Sequence, residues 1–236
     1  MKRKWIAACG LTAGVLAGLL YTAGCLRAVP AAGWAPQPER VLIIDAGHGG
    51  EDGGASSAAG AIESRINLAI ACKLEDILAF YGIAPEMTRR EDISLHDSSA
   101  ATLREKKTSD LHNRAAMVEE LNPWLMVSIH QNSFPESRYH GAQVFYAPTP
   151  GSEEIAQYIQ EKLAAGLDPD NTREAKEIPD SVYLMNHISC PAVLAECGFL
   201  SNPQEAELLS QDSYQRKLAS ILAGAILTIP EEAENT

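Results

Sequence analysis

VLIIDAGHGGEDGG, residues 41–54, decides how the rest of the chain is read. Val41 to Asp45 form an apolar run short enough for a buried strand and closed by a turn, the pattern of a parallel strand covered on both faces. The five glycines that follow let the backbone bend tightly around His48. In open α/β sheets, ligands gather just beyond the carboxyl ends of strands, which is where His48 falls.

Outward from this stretch, helical and extended patterns alternate. Ile66, Ile70, Leu74, Ile77 and Leu78 recur at helical spacing and predict a helix over about 62–81, ended by Gly82. Further strands are expected at 83–88, 124–130, 142–146 and 191–196, and further helices near 110–121, 152–166 and 213–227. The polar stretch 91–110 reads as a loop. Such alternation predicts an α/β sandwich on a mostly parallel sheet, one catalytic domain over 40–230, with an acidic tail at 231–236.

The leader differs in composition. Lys2, Arg3 and Lys4 precede an uncharged run from Trp5 to Leu26 that ends at Arg27. With basic residues ahead of a long apolar run, residues 1–27 are expected to be an uncleaved signal anchor that places the domain on the extracytoplasmic face of the membrane. The alternatives are a cleaved signal peptide with processing near Ala28–Ala31, and lipid attachment at Cys25. Residues 28–39, with three prolines, read as a short stiff linker.

Of the 19 basic residues, four lie before residue 31 and no acid does, so the remainder sets 15 against 31 acids, about −16. Such a surface repels phosphate backbones and argues against a nucleic-acid partner. Cys72, Cys190 and Cys197 are too few and too irregular for a disulfide framework, and the last two read as buried small hydrophobes.

Chemistry concentrates in four residues. Counting 100° per residue places Glu63 on the apolar stripe of the first helix, facing the sheet. A buried carboxylate needs a cation or donors, so Glu63 reads as a metal ligand or, equally, as a first-turn residue serving the helix dipole. His130 ends the apolar run WLMVSIH, on the same predicted edge as His48. Two histidines and a carboxylate suit one zinc ion with a position left open. Glu196 ends the run AVLAEC on that edge. It reads as a general base acting on water, with a fourth metal ligand or a partner for the following helix as alternatives.

Asp45 is a candidate to orient a ligand histidine through its second ring nitrogen. Asn67, Asn132 and Ser133 are candidates to line a polar substrate cleft. His96, His112, His140 and His187 read as surface or hydrogen-bonded residues. Arg89, Arg90 and Arg114 suit ion pairs better than an anionic substrate group. The glycine-rich turn lacks the ending of a phosphate loop.

With these residues placed, the chain resembles the zinc-dependent N-acetylmuramoyl-L-alanine amidases of bacterial cell walls over about residues 40–229. DAGHGG (45–50), ESRINL (63–68), TRRED (88–92), HNRA (112–115), SIHQNS (128–133) and AECGFLSN (195–202) appear in the family's order. The resemblance implies a sheet of about six strands with helices on both faces, one zinc on His48, Glu63 and His130, and Glu196 as catalytic acid/base. It implies hydrolysis of the amide between N-acetylmuramic acid and L-alanine in peptidoglycan. The short leader on a lone domain looks most like spore-cortex members, which remove stem peptides on the way to muramic-δ-lactam. Targeting or zinc retention would then fall to the leader or to a protein partner. A wall-acting zinc peptidase or deacetylase, or an anchored wall-binding module, are the competing readings.

Overall fold

The structure is a computed structural model that describes residues 40–230. The expected leader, linker and tail lie outside the described residues, and no described helix is long and apolar enough to cross a membrane. The strands are β1 Leu42–Ala46, β2 Glu86–Met87, β3 Leu125–Asn132, β4 Gln143–Tyr146, β5 Lys176–Glu177 and β6 Ala192–Phe199. The helices are α1 Glu63–Phe80, α2 Leu103–Leu121, α3 Ser152–Leu167, α4 Pro203–Leu209 and α5 Asp212–Leu227. The strands form one sheet in the order β2-β1-β3-β6-β4-β5, parallel throughout except where β4 runs against β6. The α/β class and the mostly parallel sheet of six strands are as expected.

Alternation along the strands divides the core. Leu42, Ile44, Leu125, Val127 and Ile129 join residues of α1, α3 and α5 on one face. Ile43 and Met126 pack with Ala115 and Val118 of α2 on the other. Burying each such Leu or Ile contributes about 2 kcal/mol. Both faces being covered, the strands read as near-continuous apolar runs.

Three expectations are corrected. The loop expected over 91–110 gives way to α2 from Leu103, begun by a capping box in which Thr102 Oγ1 accepts from Glu105 N at 3.2 Å and Glu105 Oε2 accepts from Thr102 N at 2.8 Å. The strand expected over 83–88 shortens to β2. β3 and β6 run on past His130 and Glu196, which therefore sit inside the strands, in register with each other and next to a bulge between His130 and Asn132. Bulges beside a site re-aim the side chains around it.

Candidate metal centre

The carboxyl ends of β1, β3 and β6 lie side by side, and the first of them opens directly into the turn that carries His48. His48 has φ 61°, a left-handed conformation that costs a non-glycine residue on the order of 1–2 kcal/mol. Two buried guanidiniums hold the backbone there. Arg89 Nε donates to Ala46 O at 2.8 Å and its Nη2 to Gly47 O at 3.0 Å, while Arg114 Nη2 donates to His48 O at 2.8 Å. Both arginines are almost wholly buried, so they brace the turn and present nothing to a substrate. Arg90 pairs with Glu75.

The same turn starts α1. Ile62 offers no side-chain cap, and the first helical N–H groups go instead to the loop, Glu63 N to Ala55 O at 2.9 Å and Ser64 N to Gly53 O at 3.0 Å. This docking sets Glu63 facing inward with 4% of its surface exposed. Its Oε2 accepts from Ala55 N at 2.7 Å and its Oε1 from Gln131 N at 3.1 Å. Burial alone would raise this carboxyl, but hydrogen bonds from His130 and His48 outweigh it and hold Glu63 well below the ordinary range.

Around that carboxylate stand the two histidines. His130 Nδ1 lies 2.9 Å from Glu63 Oε1, His48 Nε2 lies 3.3 Å from the same atom, and the imidazoles meet edge to face at 4.9 Å between centroids. One potential donor atom from each of the three falls within 4.8 Å of the others, the one such group among the described residues. Ligands about 2 Å from a tetrahedral ion stand roughly 3.3 Å apart, so the spacing fits zinc, as does the N, N, O donor set. Burial lowers the His48 pKa, but Asp52 and Glu63 outweigh that and raise it to about 9. A cation in this position would displace a proton.

Two glycines make the room. A Cβ on Gly47 would lie 2.1 Å from His130 Nε2, and one on Gly54, at φ 66°, would lie 2.4 Å from Glu63 Oε2. Gly47 is not in the left-handed region, and the atoms nearest to an alanine Cβ there all belong to the His130 ring. Gly47→Ala is expected to push that ring off Glu63, costing about 1–3 kcal/mol of stability and weakening zinc binding. Thermal melting together with a zinc titration checks both.

Glu196 pairs in register with His130 on the adjoining strand. Its Oε2 is buried and has no hydrogen-bond partner. Desolvation, reinforced by the charge of Glu63 and opposed by His130 and His48, raises its pKa to about 7. A carboxyl poised near neutrality and close enough to feel the charges of His48, Glu63 and His130 suits proton transfer.

Other candidates are placed differently. Asp45 does not reach a histidine: in β1 it lies opposite Ser128, whose hydroxyl donates to it at 2.6 Å, and it is ion-paired with Arg114. The carboxylate on His48 Nδ1 is that of Asp52, at 3.0 Å, a residue the sequence reading passed over. Asn67 does not line a cleft. It is fully buried, donates to Gly47 O at 3.1 Å and accepts from Gln131 Nε2 at 3.2 Å, behind Glu63. Asn132 is half-buried and Ser133 exposed, and both remain reachable just past His130. The other histidines bond locally, His96 to Ser94, His140 to Asp168 and His187 to the Tyr183 carbonyl, while the His112 ring packs on Tyr183. Cys190 and Cys197 are buried free thiols, pushed up to about 11 and about 12 by desolvation.

The chain is also similar to known proteins of one family. The sequence profile of the N-acetylmuramoyl-L-alanine amidases matches residues 42–228. The germination-specific N-acetylmuramoyl-L-alanine amidase of Bacillus subtilis (strain 168) is 37% identical over 193 residues, covering 81% of this chain and 80% of that protein. Among solved structures, the CwlD amidase from Clostridioides difficile, in complex with the GerS lipoprotein, superimposes with a TM-score of 0.77 at 39% identity, covering 80% of this chain and 98% of that one. An N-acetylmuramoyl-L-alanine amidase from Clostridium difficile 630 gives 0.70 at 27% identity, with 80% and 95% covered.

Proposed function

The chain belongs to the N-acetylmuramoyl-L-alanine amidase family, and from that premise we propose that it is a zinc enzyme of the spore cortex, with His48, Glu63 and His130 holding one ion and Glu196 moving the proton. The substrate bond is the amide between the lactyl group of N-acetylmuramic acid and L-alanine in peptidoglycan. The observation that carries the reading is the unpartnered, buried Glu196 Oε2, on the strand adjoining His130 at the rim of the ligand group.

Zinc, when bound, supplies Lewis acidity at the scissile carbonyl and lowers the pKa of water. Glu196 takes the proton from the attacking water as its oxygen bonds to the carbonyl carbon. The same carboxyl then gives that proton to the nitrogen of L-alanine as the C–N bond breaks. The products are a glycan with a free lactyl carboxylate and an intact stem peptide with a free amine. Asn132 and Ser133 line the substrate side, half-buried and exposed at the end of β3.

The cortex role draws support from the germination-specific relative in Bacillus subtilis. It places the domain outside the cytoplasmic membrane, tethered through residues 1–27. A lipoprotein-type partner belongs to the same reading, since the CwlD amidase was solved with one. The test is mass spectrometry of purified cortex peptidoglycan digested by the zinc-loaded chain. Free lactyl-bearing glycan and whole stem peptides are expected. Cleavage within the peptide or loss of acetyl groups would transfer the enzyme to the peptidases or deacetylases.

A further inference from the structure

We infer that Asp52 and Lys107 are positioning residues for the first metal ligand, a two-residue chain from helix α2 that sets how tightly the domain retains zinc. The inference rests on the zinc reading above and concerns affinity, not the bond that is cleaved.

Each oxygen of Asp52 has its own fixed task. Oδ2 lies 3.0 Å from His48 Nδ1. Oδ1 lies 2.7 Å from Lys107 Nζ and accepts from Gly54 N at 3.2 Å. Backbone bonds tie Asp52 to the turn as well, since Gly49 N donates to its carbonyl at 2.9 Å and its own N–H donates to Gly49 O at 3.2 Å. The carboxylate therefore cannot leave His48 without breaking several contacts at once. Accepting a hydrogen bond from Nδ1 keeps the proton there and leaves the lone pair on Nε2, the nitrogen that faces Glu63. Lys107 holds the other carboxylate oxygen, from a helix that Arg114 also locks to the His48 carbonyl.

A neighbouring ion pair provides the control. Lys106 Nζ lies 2.6 Å from Glu51 Oε1, which ties the same turn to the same helix one residue away, without a hydrogen bond to any ligand among the described residues. A tether role alone predicts equal effects from both lysines. Charge alone predicts that removing Lys107, a cation near a dication, tightens zinc binding. Positioning predicts the opposite sign, and for Lys107 only.

The experiment is a zinc titration of the full-length chain against a chromophoric chelator at fixed pH and salt, with melting curves of the metal-free variants alongside. Asp52→Asn is expected to weaken zinc binding about 10–100-fold, and Asp52→Glu to recover part of that loss. Lys107→Met should weaken it by a smaller factor, and Lys106→Met should leave it unchanged. Equal effects of the two lysines, tighter binding by Lys107→Met, or unaltered affinity in Asp52→Asn would each overturn the inference. Lys107 is half exposed, so its variant carries the test even where Asp52→Asn melts early. Failure of the wild-type chain to bind zinc overturns both this and the zinc reading, whereas tight binding without amide cleavage removes the hydrolase reading alone.

Discussion

Replacing Glu196 with glutamine is expected to leave one zinc per chain and to lower kcat by about 10²–10⁴-fold, the range over which a positioned acid/base group acts. The isostere keeps the shape of β6 and breaks no hydrogen bond of Glu196 Oε2, which has none. A pH profile gives a second readout. Glu196 accepts a proton only as carboxylate, so the wild-type rate should rise with pH through its pKa. Without a metal that value is raised to about 7, by desolvation first and the charge of Glu63 next. A bound dication favours the carboxylate, so the acid limb of kcat/KM should have its midpoint below 7 and vanish in the variant. Stability should move the other way. A carboxyl whose folded pKa lies above its ordinary 4.5 contributes most when protonated below that value, and the contribution is lost as pH rises through about 7. Metal-free Glu196→Gln should therefore melt above metal-free wild type at pH 8, with the gap closing toward pH 4.5. Unchanged activity would remove Glu196 from the chemistry.

The parts of this site that were legible in the sequence are those where one residue's environment is set by its own element. The run 41–45 followed by glycines puts His48 past a strand end whatever else the chain does, and helical spacing alone turns Glu63 toward the core. What escaped depends on contacts between elements. Helix α2 was expected only from about residue 110; it buries Asp110, Arg114, Ala115 and Val118 but nothing apolar in its first turns, so its start at Leu103 is marked only by the Thr102–Glu105 box. Asp45 and Asp52 are both near His48 in sequence. The register of β1 against β3 commits Asp45 to Ser128 and Arg114, and the short Gly49–Asp52 bridge folds Asp52 back onto the ring. Asn67 shows the two kinds of information separately. Its i, i+4 spacing from Glu63 placed it beside the ligand, but nothing local told that Gly47 and Gln131 would use up its amide.

His130→Ala is expected to weaken zinc binding by about 10²–10⁴-fold and to reduce amide hydrolysis to background. Apparent binding free energies of structural zinc sites run about 10–16 kcal/mol, so losing one of three protein ligands forfeits on the order of 3–5 kcal/mol. The domain should still fold. Glu63 keeps the N–H groups of Ala55 and Gln131 and the ring of His48, so its buried charge is not left without donors. Equilibrium dialysis against zinc, with far-ultraviolet dichroism as the folding control, separates loss of metal from loss of structure. The contact with Gly47 makes a sharper test. The atoms nearest to an alanine Cβ at 47 all belong to the His130 ring and the backbone there is not left-handed, so most of its cost in stability should disappear once that ring is gone. Melting of the two single variants and of Gly47→Ala/His130→Ala closes a double-mutant cycle. A coupling of about 1–3 kcal/mol, most of the overpacking cost of the single alanine, is expected. Additive effects would mean that His130 does not stand against Gly47, and with it would go the geometry that brings the imidazole to Glu63.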